Sequence, residues 1–224
     1  TIIEAPARGW HSPATLSGFV AAAALTLAFV TIEQAAEHPM LDVRLFTDRR
    51  FSAASASVAV TFFALSGFIF LITQYFQLIL GYSPLSAALR FLPMAPIMMI
   101  VSPMTPRIIN RLGANRTVAT GMSLVACGFF SFAQLTVNTS YWYVLFCVAL
   151  LMMGIALTMS PMTAAIMSAV PPRRAGAGSA MNDATRELGA ALGVAVLGSV
   201  AASQYSSGIN DAVRGLSPAD QAAA

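Results

Sequence analysis

The chain has no lysine, few charges and two histidines, and each shortage removes a class of function. Only 9% of its 224 residues are charged while 57% are hydrophobic, with a mean hydropathy of +0.73. A soluble domain carries roughly 25% charged residues because its whole surface faces water. A globule with so few could not cover itself, so its solvent is lipid. The net charge of +3 rests on scattered arginines, and a nucleic-acid surface would need a continuous basic face. His11 and His38 stand apart, so no Ser/His/Asp set or metal cluster can be assembled. Gly176-Ala177-Gly178 follows arginines rather than a strand, which argues against a nucleotide loop. No catalytic residue, metal site or cofactor is expected. Cys127 and Cys147 lie in apolar runs without a CxxC partner and read as small buried hydrophobes.

What is present is a series of apolar runs. Crossing a hydrocarbon core of about 30 Å takes about 20 mainly apolar residues. Such runs occupy residues 15–32, 51–80, 85–105, 117–135 and 141–170. A sixth, 188–202, is too short alone, so its helix must begin near Ala177 and carry Asp183, Arg186 and Glu187 to membrane depth. Charges there are costly and should face protein or a watery cavity. The fold class expected is all-α, a polytopic membrane bundle of about six transmembrane helices. Pro93, Pro96 and Pro161 read as kinks rather than ends, since neighbouring helices can satisfy the freed carbonyls.

Orientation follows from arginine placement. Loops on one side hold Arg44, Arg49, Arg50, Arg107, Arg111, Arg116, Arg173 and Arg174, against Arg8, Arg90 and Arg214 on the other. The first side is therefore expected in the cytoplasm, with Tyr141, Trp142 and Tyr143 in an outer interfacial belt. The expected organisation is an outer loop and linker helix over 1–33 and a cytoplasmic loop over 34–50. A five-helix half-bundle over 51–203 and an outer loop over 204–224, stopping before a last helix, follow. The N-terminal stretch lacks a basic segment and reads as the interior of a longer protein.

At 100° per residue, Asn182, Arg186, Gly189 and Gly193 fall on one stripe of the sixth helix. Gly189 and Gly193 permit close helix packing. Arg186 either pairs with Asp183 or another carboxylate to fix the bundle, or takes part with Asn182 in substrate or proton coupling. Gln74 and Gln77, near the outer end of the second helix, are candidates for ligand or interhelical hydrogen bonds. Phe62, Phe63, Phe68 and Phe70, with Met152, Met153 and Met159, are candidates for an adaptable apolar cavity.

Several stretches resemble one family. PRIINRLGANRTVATG, between two hydrophobic helices, resembles the G-x-x-x-D-R-x-G-R-[KR] loop of the major facilitator superfamily. Arg111 and Gly113 match, Pro106 replaces the leading glycine, Asn110 replaces the aspartate, and the basic residue slips to Arg116. RGWHSP, QYFQLILGYSPLSAALRFLP and MNDATRELGAALGVAVLGS are similar to the fourteen-helix drug:proton antiporter branch. The last follows that branch's N-x-x-R-x-x-G-x-x-x-G pattern through Asn182, Arg186, Gly189 and Gly193. The resemblance implies helices eight to thirteen of fourteen in an exporter working by alternating access. Its partners would be the bilayer, a small hydrophobic or cationic substrate, protons and the missing N-terminal half, with no nucleic acid. In the resemblance Asn110, Arg111, Gly113 and Arg116 form a conformational loop. The alternatives are a solute uptake transporter of the same fold and a non-transporting membrane scaffold or receptor.

Overall fold

The computed structural model of the chain describes residues 2–36, 43–136, 139–171 and 175–214. Among them the secondary structure is helical, as lipid requires: each segment must close its own backbone hydrogen bonds. A short α1 (Ala5–Arg8) leads to α2 (Pro13–Ala35), a 3-10 turn (Val43–Thr47) and α3 (Arg49–Gln74), which continues as a π-helix over Tyr75–Ile79. Then come α4 (Pro84–Phe91), α5 (Met94–Leu112), α6 (Ala114–Phe132), α7 (Tyr141–Ser168) and α8 (Ala175–Arg214). Three helix starts, those of α2, α3 and α4, are marked by side-chain caps. Ser12 Oγ accepts from Thr15 N–H, Asp48 Oδ1 from Arg50 and Phe51 N–H, and Ser83 Oγ from Ser86 N–H. A single residue, Gly113 at φ 81°, turns α5 into α6; a side chain would be strained there.

All six expected spans appear as helices. Among the described residues five stretches are long and apolar enough to cross a membrane by length and composition: Pro13–Ala35, Arg49–Ile79, Pro84–Leu112, Tyr141–Ser168 and Ala175–Gly208. Helix α6, at 19 residues, opens on Asn115 and Arg116, which dilute its apolar content.

Three expectations change in detail. Pro93 does not kink a continuous helix; α4 ends at Phe91 and α5 restarts at Met94. Neither Pro93 nor Pro96 has an N–H, so the carbonyls of Leu89 and Leu92 are served by tighter bonds from Leu92 N–H and Ala95 N–H, both 3.2 Å. Pro161, by contrast, sits inside an unbroken α7. The second span widens near its end, where Leu80 N–H reaches back to Tyr75 C=O (3.1 Å) in a π turn. The last helix begins at Ala175 and continues through Arg214, past the boundary expected at 203. His38, Arg173 and Arg174 lie outside the described residues.

The bundle is closed by glycines. A Cβ on Gly189 or Gly193 would collide with the Ala59 or Phe63 carbonyl of α3. The paired numbers rise together, so α3 and α8 run parallel. A Cβ on Gly121 would lie 2.7 Å from Gly154 C=O, and one on Gly128 3.2 Å from Leu151 N; one number rises as the other falls, so α6 and α7 are antiparallel. Both directions match the alternating crossings read from the sequence. In lipid, where burying apolar surface gives no advantage between helices, such close approach is the main source of association. One apolar cluster gathers Phe68, Ile72, Val125, Leu151, Met152 and Ile155; another, toward the start of α3, gathers Phe51, Ala54, Val58, Met162, Ile166 and Met181. Helix α2 stands aside, with only Thr15 buried.

Candidate functional site

The stripe read from the sequence is present, and it divides by role. Gly189 and Gly193 form the contact with α3, while one turn earlier the larger residues project into the junction of α3, α7 and α8. Arg186 is the cation of that junction. Its Nη2 donates to Thr163 Oγ1 of α7 at 3.2 Å, and its guanidinium carbon lies 5.3 Å from the ring centroid of Phe62 on α3. Asp183 is 3.9 Å away on the same helix, and its side chain is 66% exposed against 29% for Arg186. An ion pair that long and that open contributes little. Arg186 is therefore held chiefly by a neutral hydroxyl and a ring face, so it ties three helices together rather than bracing one.

Two neutral polar groups share this level. Asn182 is 5% exposed and Ser55 3% exposed. Among the described residues Asn182 Oδ1, Ser55 Oγ and Arg186 Nε have no hydrogen-bond partner. Sequence reasoning missed Ser55 and Thr163. Ser55 is signalled only by its place in a small-residue register with Ala59 and Gly67, and Thr163 by following Pro161, where the helix lacks a donor.

The remaining pathway candidates lie elsewhere. Gln74 and Gln77 are partly buried, and neither side chain forms a hydrogen bond among the described residues. Gln74 lies twelve residues beyond Phe62 on α3, about 18 Å along the axis. The amides and the arginine thus belong to different depths. Met152 is core, packed with Phe68, Leu151 and Ile155, and Phe68 meets Phe132 edge-on at 4.8 Å. Phe63 contributes its carbonyl to the Gly193 contact. An open groove of about 240 Å³ between Ile2, Trp10 and the outer part of α8 contains none of these residues.

Around the α5–α6 turn, Asn110 and Arg111 at the end of α5, Gly113 between the helices and Arg116 at the start of α6 are all exposed. The turn is held locally by Thr117 Oγ1, which donates to Gly113 C=O at 2.9 Å. Among the described residues Arg111 and Arg116 form no ion pair, leaving both cations available to groups outside the chain. At the opposite end Arg90 stacks on Tyr82, 3.7 Å from the centroid, and Tyr141 O–H donates to Arg90 C=O.

Membrane-length helices with arginines at their ends, and one more at a helix junction, define a multi-pass protein of the cell membrane. The chain belongs to the Major Facilitator Superfamily, whose family profile matches residues 5–194. It is 35% identical over 205 residues to the multidrug resistance protein Stp of Mycobacterium tuberculosis, covering 92% of this chain and 38% of that protein. Identity to the multidrug efflux pump LfrA of Mycolicibacterium smegmatis is 30% over 222 residues, 99% of this chain and 44% of LfrA. The tetracenomycin C resistance and export protein of Streptomyces glaucescens matches at 32% over 209 residues, 91% and 38% respectively. The chain therefore spans about two fifths of the length of these relatives.

Proposed function

We propose that this chain forms the C-terminal portion of a proton-coupled exporter of hydrophobic or cationic drug-like compounds. The complete protein alternates access to a central cavity as two helical halves rock against each other, and this portion supplies part of the cavity wall. The observation that carries the reading is the Arg186 junction, set inside a chain whose relatives are named for multidrug resistance or export. A cation joined to α3 and α7 by neutral, readily exchanged contacts suits helices that must change neighbours. Asn182 and Arg186 hold α8, and the α5–α6 loop around Arg111 locks one conformation from the cytoplasmic side. On this reading residues 34–50 face the cytoplasm, residues 51–203 form the half-bundle, and protons and the N-terminal half are its partners.

The test is dye efflux by the full-length protein in inverted membrane vesicles energised by a proton gradient. Dye should accumulate inside the vesicles, and Arg186→Ala should slow it about tenfold, the rate equivalent of ~1.4 kcal/mol. Dye movement in the opposite direction would favour an uptake transporter. Unchanged efflux at equal membrane abundance would remove Arg186 from the mechanism.

A further inference from the structure

We infer that Ser55, Asn182 and Arg186 hold an internal water molecule where α3, α7 and α8 meet. The register of the pair brings the groups together. Gly189 lies on Ala59 and Gly193 on Phe63, so one turn earlier the same spacing sets Ser55 beside residues 185–186. Met181, next to Asn182, belongs to the same apolar cluster as Phe51, Ala54 and Val58, which flank Ser55 on α3.

The unpartnered atoms select the occupant. Asn182 Oδ1 only accepts a hydrogen bond, Arg186 Nε–H only donates, and Ser55 Oγ does either. An anion would serve the arginine but repel the amide oxygen, and a cation would do the reverse. A neutral molecule that both donates and accepts serves all three. Ser55 and Asn182 are at most 5% exposed, so the occupant is small, and a buried water makes about three such bonds. The hydroxyls of Thr61 and Thr185 need none, because Thr61 O–H bonds Ser57 C=O at 2.8 Å and Thr185 O–H bonds Met181 C=O at 2.7 Å. The water completes the solvation of Arg186 without a buried carboxylate. It also gives α3 and α8 a polar link that can break and re-form as they move. The inference rests on the geometry of the junction and not on the export reading.

The experiment uses the full-length protein in lipid nanodiscs. Brief X-ray irradiation generates hydroxyl radicals from bound water, which oxidise adjacent side chains. Met181 and Met152 are matched in burial, at 5% and 6% exposed, but only Met181 borders the junction. Met181 should oxidise several-fold faster than Met152, and the excess should vanish in Ser55→Ala/Asn182→Leu. Equal rates in the unsubstituted protein, or an excess that survives both substitutions, would overturn the assignment. So would a cryo-electron microscopy map showing a side chain from another segment bonded to Asn182 Oδ1 and Arg186 Nε.

Discussion

The pairs α3–α8 and α6–α7 are both closed by glycine against facing backbone, yet they differ in what else they bury. Between α6 and α7 the hydroxyls are satisfied close to home. Thr117 bonds Gly113 C=O and Thr158 bonds Ile155 C=O, while Val125, Leu151 and Ile155 fill the space around them. Between α3 and α8 an arginine, an amide and a serine share the interface with neutral or absent partners. The first pair has one comfortable arrangement. In the second, close packing is combined with polar groups whose bonds could be exchanged without exposing a charge to lipid.

That contrast can be broken at several points. The largest effect is expected from Gly154→Leu, which drives a side chain into the Gly121 carbonyl and the Val125 backbone. It should cost about 3 kcal/mol, the upper end for overpacking, seen as lost thermal stability in detergent; Gly193→Leu should cost as much. A well-tolerated Gly193→Leu would mean that α3 and α8 do not pack this closely in the membrane. Arg186→Ala should cost ~2 kcal/mol, from the Thr163 bond and the Phe62 ring contact together. Thr158→Val, which removes only a bond within its own helix, should cost less than about 1 kcal/mol. Equal losses would erase the distinction between the pairs. Thr163→Val combined with Arg186→Ala in a double-mutant cycle should show coupling of about 1 kcal/mol. Purely additive losses would show that the hydroxyl does not hold the guanidinium. Smallest is Thr105→Val, which removes a 3.3 Å bond to Ala156 C=O between α5 and α7. A loss of about 0.5 kcal/mol is expected there, readable as a small shift in unfolding temperature.

Much of the architecture was legible because lipid makes spanning helices obligatory wherever apolar runs are long enough. The stripe of Asn182, Arg186, Gly189 and Gly193 was legible for the same reason: helical periodicity alone sets which residues share a face. What the runs could not show was how the interiors are wired. Ser55, Thr105 and Thr163 look alike among apolar neighbours, but Thr105 and Thr163 reach another helix and Ser55 bonds nothing among the described residues. Those differences depend on which helix lies alongside, and hence on tertiary contact. The break between α4 and α5 was hidden because Pro93 and Pro96 must be considered as a pair, each removing a donor from successive turns. The aromatic and methionine candidates were ambiguous for a further reason: the same residue types line cavities and fill cores, and Met152 proved to be core.

Helix α8 runs for 40 residues without a proline, about 60 Å at ~1.5 Å per residue, or roughly twice the thickness of the hydrocarbon layer. A rod of that span turns angle into travel: pivoting by about 5° near Arg186, about 42 Å from Arg214, carries that end about 4 Å. Any tilt centred on Arg186 would thereby be enlarged at the distant tip.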